Sequence, residues 1–141
     1  MDASIANEPK RDGAKTIIIL GAGLGGLACA RRLSELLPPP SSSSSPPHRI
    51  LVIDKSDAHN VCATRSLIVA QQCSVEQVVR ARPPLLPHGV EWLQAEVIRI
   101  TESSHGGDDG GKAGVEVVTD KGSFQGDQVV VALGADYNMV P

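Results

Sequence analysis

The sequence predicts an α/β fold built on a parallel sheet, and three observations carry that prediction. Thr16 to Leu20 is an unbroken run of β-favouring residues that leads into glycines at 21, 23 and 26 and then into a helical pattern. His48 to Asp54 is a second apolar run, ending in an acid, and Asp127 to Gly134 is a third, ending in a glycine turn. Strands that alternate apolar and polar residues belong to sheets with one wet face. Uninterrupted apolar strands separated by a helix belong to parallel sheets covered on both faces.

Taken in order, residues 1–15 are polar, carry Asp2, Glu8 and Asp12, and form a flexible tail. After the strand at 16–20, a helix is predicted from Leu24 to Leu37. A step of about 100° per residue places Gly26, Cys29, Ala30, Leu33, Leu36 and Leu37 on one arc, with Arg31, Arg32, Ser34 and Glu35 opposite. Gly26 therefore lies on the buried stripe, where a helix packing closely on a sheet needs a missing side chain. Cys29 reads as a small buried residue rather than a redox thiol. The tract PPPSSSSSPP at 38–47 stops the helix and reads as a tolerated loop insertion rather than a regulatory serine tract.

The turn between the first strand and the helix has the spacing Gly21-x-Gly23-x-x-Gly26. Gly21 permits the tight turn, Gly23 lets a pyrophosphate approach the backbone, and Gly26 lets the helix sit close to the sheet. Ala22 and Gly25 complete this candidate phosphate loop. The helix then begins under the phosphates, where free N–H groups and the positive end of the helix dipole favour an anion. Glycine turns of this kind are common, so the context decides. Asp54, at the end of the second strand, can accept hydrogen bonds from the ribose hydroxyls of an adenosine, and its charge opposes a 2′-phosphate. It stands further from Gly26 than the roughly 20 residues of the fingerprint, and the insertion at 38–47 accounts for the excess.

Beyond Asp54, Ala63–Gln72 and Val75–Arg82 read as short helices stopped by Pro83-Pro84. His59, Asn60 and Arg65 fall in a loop on the ligand side but read as solvated polar residues, and Cys62 is given no function. Gly89–Ile100 reads as one strand, Ser103–Lys112 as a glycine-rich loop, Val115–Thr119 as a strand, Asp120–Gly122 as a turn and Ser123–Gln125 as a short strand. Together they predict an antiparallel meander where a third helical crossover would otherwise stand, with Trp92 packed inside it. Tyr137 to Pro141 has linker character.

Composition bounds the function. The chain has 141 residues, 41% of them apolar, a formal net charge of −3, and aromatics at only 2%, so one modest core is built from aliphatic residues. No basic patch interleaved with aromatics is present, which argues against nucleic-acid binding. No apolar stretch has the length of a signal peptide or a membrane span. An odd count of three cysteines without a CxxC argues against a disulfide framework. No cluster has metal-ligand spacing, and no residue stands out as a catalytic acid, base or nucleophile.

The order of these pieces resembles the FAD-binding domains of the two-dinucleotide-binding flavoproteins, specifically the pyridine nucleotide-disulfide oxidoreductase family. GAGLGGLACARRL (21–33), LVIDKSDAHN (51–60), GVEWLQAEVIRI (89–100) and VVVALGADY (129–137) look most like sulfide:quinone oxidoreductases, type II NADH:quinone oxidoreductases and apoptosis-inducing-factor-like quinone reductases. The resemblance implies a Rossmann-like, three-layer FAD/NAD(P)-binding fold over 16–141 with an antiparallel β-meander, incomplete at its C-terminus and forming the first part of a longer protein. It implies FAD as cofactor, held by Gly21, Ala22, Gly23, Gly25 and Gly26 at the pyrophosphate and by Asp54 at the ribose. Lys55 would flank the adenosine, Val97 would meet the adenine with its backbone, and the Ala132-Leu133-Gly134 turn would make a second contact. Leu133 stands where many relatives have Thr, which removes a hydroxyl. The resemblance further implies NAD(P)H or sulfide as electron donor, NAD(P)H as co-substrate of the intact enzyme, a quinone-like acceptor, and peripheral membrane contact through regions outside this chain. This segment alone is expected to be inactive. The alternative is a non-catalytic remnant that binds NAD or FAD as an interaction module, and a third reading is a segment that does not fold stably by itself.

Overall fold

A computed structural model describes residues 15–37, 48–60, 64–104 and 113–135. The tail, the Pro/Ser tract, Cys62, most of the glycine-rich loop and the final linker-like residues lie outside the described residues.

β1 (Thr16–Leu20), α1 (Leu24–Leu36) and β2 (Arg49–Asp54) form with each boundary within a residue of expectation. β1 pairs in parallel with β2 on one side and with β9 (Gln128–Val131) on the other, and β2 pairs in parallel with β5 (Val90–Gln94). The sheet order is therefore β5-β2-β1-β9. Side chains alternate across a strand, so the apolar runs supply two faces at once. Ile18, Leu20, Leu51 and Ile53 point to one face and pack with Val117 and Phe124. Ile19, Ile50 and Val52 point to the other and pack with Ala22 and Ala30 beside α1.

The first of these faces is covered by β6 (Val97–Ser104), β7 (Ala113–Thr119) and β8 (Gly122–Gly126), an antiparallel sheet in the order β6-β7-β8. It fills the place of a crossover helix between β5 and β9. Three layers result: helix, parallel sheet and antiparallel meander. Close seating of the two sheets depends on Gly126, where a Cβ would stand only 2.9 Å from Cδ1 of Ile18.

Four expectations need correction. The single strand predicted over 89–100 is two strands in different sheets. Ala95 and Glu96 form a bend held by three hydrogen bonds: Ala95 N–H donates to the Asp54 carbonyl at 3.0 Å, Glu96 N–H to Asp120 Oδ1 at 2.8 Å, and Asp120 N–H to the Glu96 carbonyl at 3.1 Å. Gln-Ala-Glu holds no glycine or proline to announce this change of sheet. Trp92 consequently sits in the parallel sheet and packs on the helix side rather than within the meander.

Second, the predicted helices over 63–72 and 75–82 shrink to α2 (Arg65–Val69) and α3 (Val75–Val78). Val79–Ala81 is instead β4, paired antiparallel with β3 (Ala58–Asn60) in a separate ribbon. Third, Leu36 is 60% exposed at the last helical residue instead of buried, while α1 meets the sheet most closely at Gly26 and Ala30. Fourth, β9 is only partly buried, because it is the edge of the sheet among the described residues; Val131 is 61% exposed. No helix among the described residues is long and apolar enough to cross a membrane.

Candidate dinucleotide-binding site

The carboxyl ends of the parallel strands lie level: Leu20 is opposite both Ile53 and Val131, and Ile53 is opposite Leu93. The chain leaves β1 through Gly21 at φ +96°, a backbone conformation that only glycine adopts without strain. Gly21 N–H donates to the Ile53 carbonyl at 2.7 Å, and Ala132 N–H donates to the Leu20 carbonyl at 2.7 Å. A side chain at 21 would overlap the backbone of Ala132, so the turns after β1 and β9 lie against each other. The order of the sheet reverses at this point, with β2 and β5 on one side of β1 and β9 on the other. In open α/β sheets that reversal opens a crevice for ligands.

Gly23 is the N-cap of α1, and no side chain caps the helix or places an acid in its first turn. The first helical bond runs from Leu27 N–H to the Gly23 carbonyl at 2.9 Å, leaving the N–H groups ahead of it without helical partners. A Cβ added at Gly23 or Gly25 would meet nothing within 4 Å. At Gly26 the opposite holds: a Cβ would overlap the carbonyl oxygen of Gly21. The glycines therefore have separate roles. Gly21 makes the turn, Gly23 and Gly25 leave space over the helix end, and Gly26 lets the helix tuck beneath the turn. Open space, unpartnered donors and the positive end of the dipole fit a phosphate anion.

Asp54 closes the other side of the site. Its Oδ2 accepts from Ala22 N–H at 2.7 Å and its Oδ1 from Ser56 N–H at 2.9 Å. Arg82 Nη1 forms an ion pair with the same Oδ2, and the two side chains are only 10% (Arg82) and 14% (Asp54) exposed. Arg82 is itself held by the ribbon: its N–H donates to the Asp57 carbonyl at 2.7 Å and its Nε to the Ala58 carbonyl at 2.8 Å. Sequence reasoning missed Arg82. It belongs to no motif, and its one signal was a second arginine two residues after Arg80, directly before Pro83-Pro84.

Among the other predicted residues, Lys55 is exposed and its carbonyl accepts from Gln94 Nε2 at 3.3 Å. Val97 opens β6, half-buried against the meander-side core, two residues beyond the Ala95 that bonds to the Asp54 carbonyl. Its approach is braced by the β7–β8 turn, from which Lys121 Nζ donates to the Gln94 carbonyl. Ala132 is half-buried, while Leu133 and Gly134 are exposed, Gly134 with φ +75°. His59 is not a solvated loop residue: it lies in β3 opposite Arg80 and is 8% exposed. No group of His, Cys, Asp and Glu among the described residues could hold a metal ion.

Sheet order, glycine turn and strand-end acid define a Rossmann-like α/β fold. The model of the pyridine nucleotide-disulphide oxidoreductase family matches residues 15–141, and the chain belongs to that family. Among solved structures, the sulfide:quinone oxidoreductase of the hyperthermophilic bacterium Aquifex aeolicus is similar, with a TM-score of 0.67 at 18% identity over 89% of this chain and 26% of that one. NDH2 from Plasmodium falciparum in complex with RYL-552 is similar with a TM-score of 0.59 at 16% identity, over 89% of this chain and 23% of that one. NDH2 from the same organism in complex with NADH gives a TM-score of 0.52 at 17% identity, with the same coverage of 89% and 23%. The chain thus spans about a quarter of the length of these structures. No curated protein sequence matches it.

Proposed function

We propose that this chain is the FAD-binding segment of a flavin-dependent oxidoreductase, whose intact form passes electrons from NAD(P)H or sulfide through FAD to a quinone-like acceptor. The observation that carries the reading is the open space over Gly23 and Gly25 at a helix end that no side chain caps and that has no acid in its first turn. A dinucleotide brings a pyrophosphate that fills such a space, and family membership favours FAD as that dinucleotide. The bound flavin would supply the redox chemistry. The chain's own residues bind and orient: the first-turn N–H groups of α1 hold the pyrophosphate and Asp54 holds the adenosine ribose. Ala22 contributes through its N–H, which fixes Asp54, and Gly26 through packing rather than ligand contact. Lys55, the Val97 backbone and the Ala132–Gly134 turn are the proposed outer contacts. The donors and acceptor follow from similar structures named for sulfide and quinone and for NADH.

The test is titration of the chain with FAD, read by flavin fluorescence and by melting temperature. Binding with a raised melting temperature is expected, and Asp54→Ala is expected to weaken it by roughly tenfold or more, the value of a hydrogen bond to a charged group. A chain that takes up no flavin and shows no thermal shift overturns the proposal.

A further inference from the structure

An acid at the end of β2 is usually credited with reading the ribose diol alone, by accepting from both hydroxyls. Here the carboxylate arrives already occupied. Of its roughly four acceptor positions, Oδ2 accepts from Ala22 N–H and is crowded by its ion pair with Arg82, and Oδ1 accepts from Ser56 N–H. One acceptor position on Oδ1 is left, which suits one hydroxyl and not two. Arg82 supplies what is missing. Its Nε is committed to Ala58, its Nη1 is buried and ion-paired with Asp54 without an aligned hydrogen bond, and no hydrogen bond joins Nη2 to another described residue. The planar fork of a guanidinium held at two nitrogens fixes the direction of the third.

We infer that Asp54 and Arg82 read the ribose diol of the nucleotide as one unit, Asp54 Oδ1 accepting from one hydroxyl and Arg82 Nη2 donating to the oxygen of the other. The inference rests on the nucleotide-binding reading above. It makes Arg82 a specificity residue of the site, and it ties the β3–β4 ribbon to the ligand through the bonds of Arg82 to Asp57 and Ala58. It also alters the expected electrostatics, since the guanidinium offsets the charge of Asp54 that a 2′-phosphate would meet.

The whole chain is titrated calorimetrically with FAD, ADP, 2′-deoxy-ADP and 3′-deoxy-ADP, as wild type, Arg82→Gln and Arg82→Lys. Wild type is expected to favour ADP over each deoxy analogue by about tenfold. Both variants are expected to reduce the ratio for one of the two analogues, the one lacking the hydroxyl that Arg82 reads, by about threefold or more. Lys keeps the positive charge beside Asp54 and hence the packing, but loses the fork, so Arg82→Lys separates ribose reading from a purely structural ion pair. If Arg82→Gln does not fold, Arg82→Lys decides. A folded Arg82→Lys with the wild-type ratios for both analogues, or a wild type that binds FAD but treats ADP and both deoxy analogues alike, overturns this inference alone. A wild type that binds neither FAD nor ADP overturns the nucleotide-binding reading, and this inference with it.

Discussion

Gly23 and Gly26 look equivalent in the motif and are opposites in the fold. The missing Cβ of Gly26 faces the Gly21 carbonyl, whereas that of Gly23 faces open space. Gly26→Ala is therefore expected to force the helix off the turn and destabilise the chain by about 1–3 kcal/mol, in the range of other overpacked sites. Gly23→Ala meets no such clash, at a negative φ of −71°, and is expected to cost about 0.5–1 kcal/mol as a poorer N-cap. Its larger effect is expected on FAD, with affinity falling by about tenfold or more because the methyl enters the proposed phosphate space. Urea denaturation and flavin titration of the two variants check both statements, and equal stability losses would contradict the assignment. Asp54 was legible at this scale because it ends an apolar run. Arg82 was not, because its significance lies in a contact between segments far apart in sequence.

Among the elements, α1 and the meander occupy opposite faces of one sheet and are seated by small residues. Ala30 is fully buried at the closest approach of α1, among Ile19, Ile50 and Val52. Ala30→Leu is expected to destabilise by about 1–3 kcal/mol, measured by denaturation, because the added methylenes have no void to enter. An exposed contact gives the contrast. Arg49 makes two hydrogen bonds with Glu91, at 2.9 and 2.7 Å, across β2 and β5. Solvent screens this pair, so Glu91→Gln is expected to cost no more than about 1 kcal/mol. The helix and the first two strands were legible because each carries its own periodicity. The split of 89–100 was not, because both halves favour β structure and the bend is stabilised by Asp54 and Asp120, which sequence separates from it.

Across the whole molecule, stability is expected to be uneven. β1 is hydrogen-bonded on both sides and its side chains are almost fully removed from water, whereas β9 is an edge among the described residues and the β3–β4 ribbon is separate from the main sheet. Native-state amide exchange is expected to be slowest in β1 and β2 and faster by about tenfold or more in β9 and the ribbon. If ligand binding acts through Arg82, adding FAD is expected to slow exchange in the ribbon as well as in the Gly21 turn; an unchanged ribbon would argue that it is uncoupled from the site.

By itself, the sequence determined the parallel strands, the helix with Gly26 on its buried side, the meander in outline and Asp54 as the strand-end acid. Each of these is a local pattern, since periodicity, glycine placement and apolar runs act over a few neighbouring residues. The tertiary structure alone decided the sheet order with its reversal beside β1, the transfer of Trp92 to the helix side, the β3–β4 ribbon and the pairing of Arg82 with Asp54. Those depend on which distant backbone groups and charges can satisfy one another once water is excluded, and no local pattern encodes that choice.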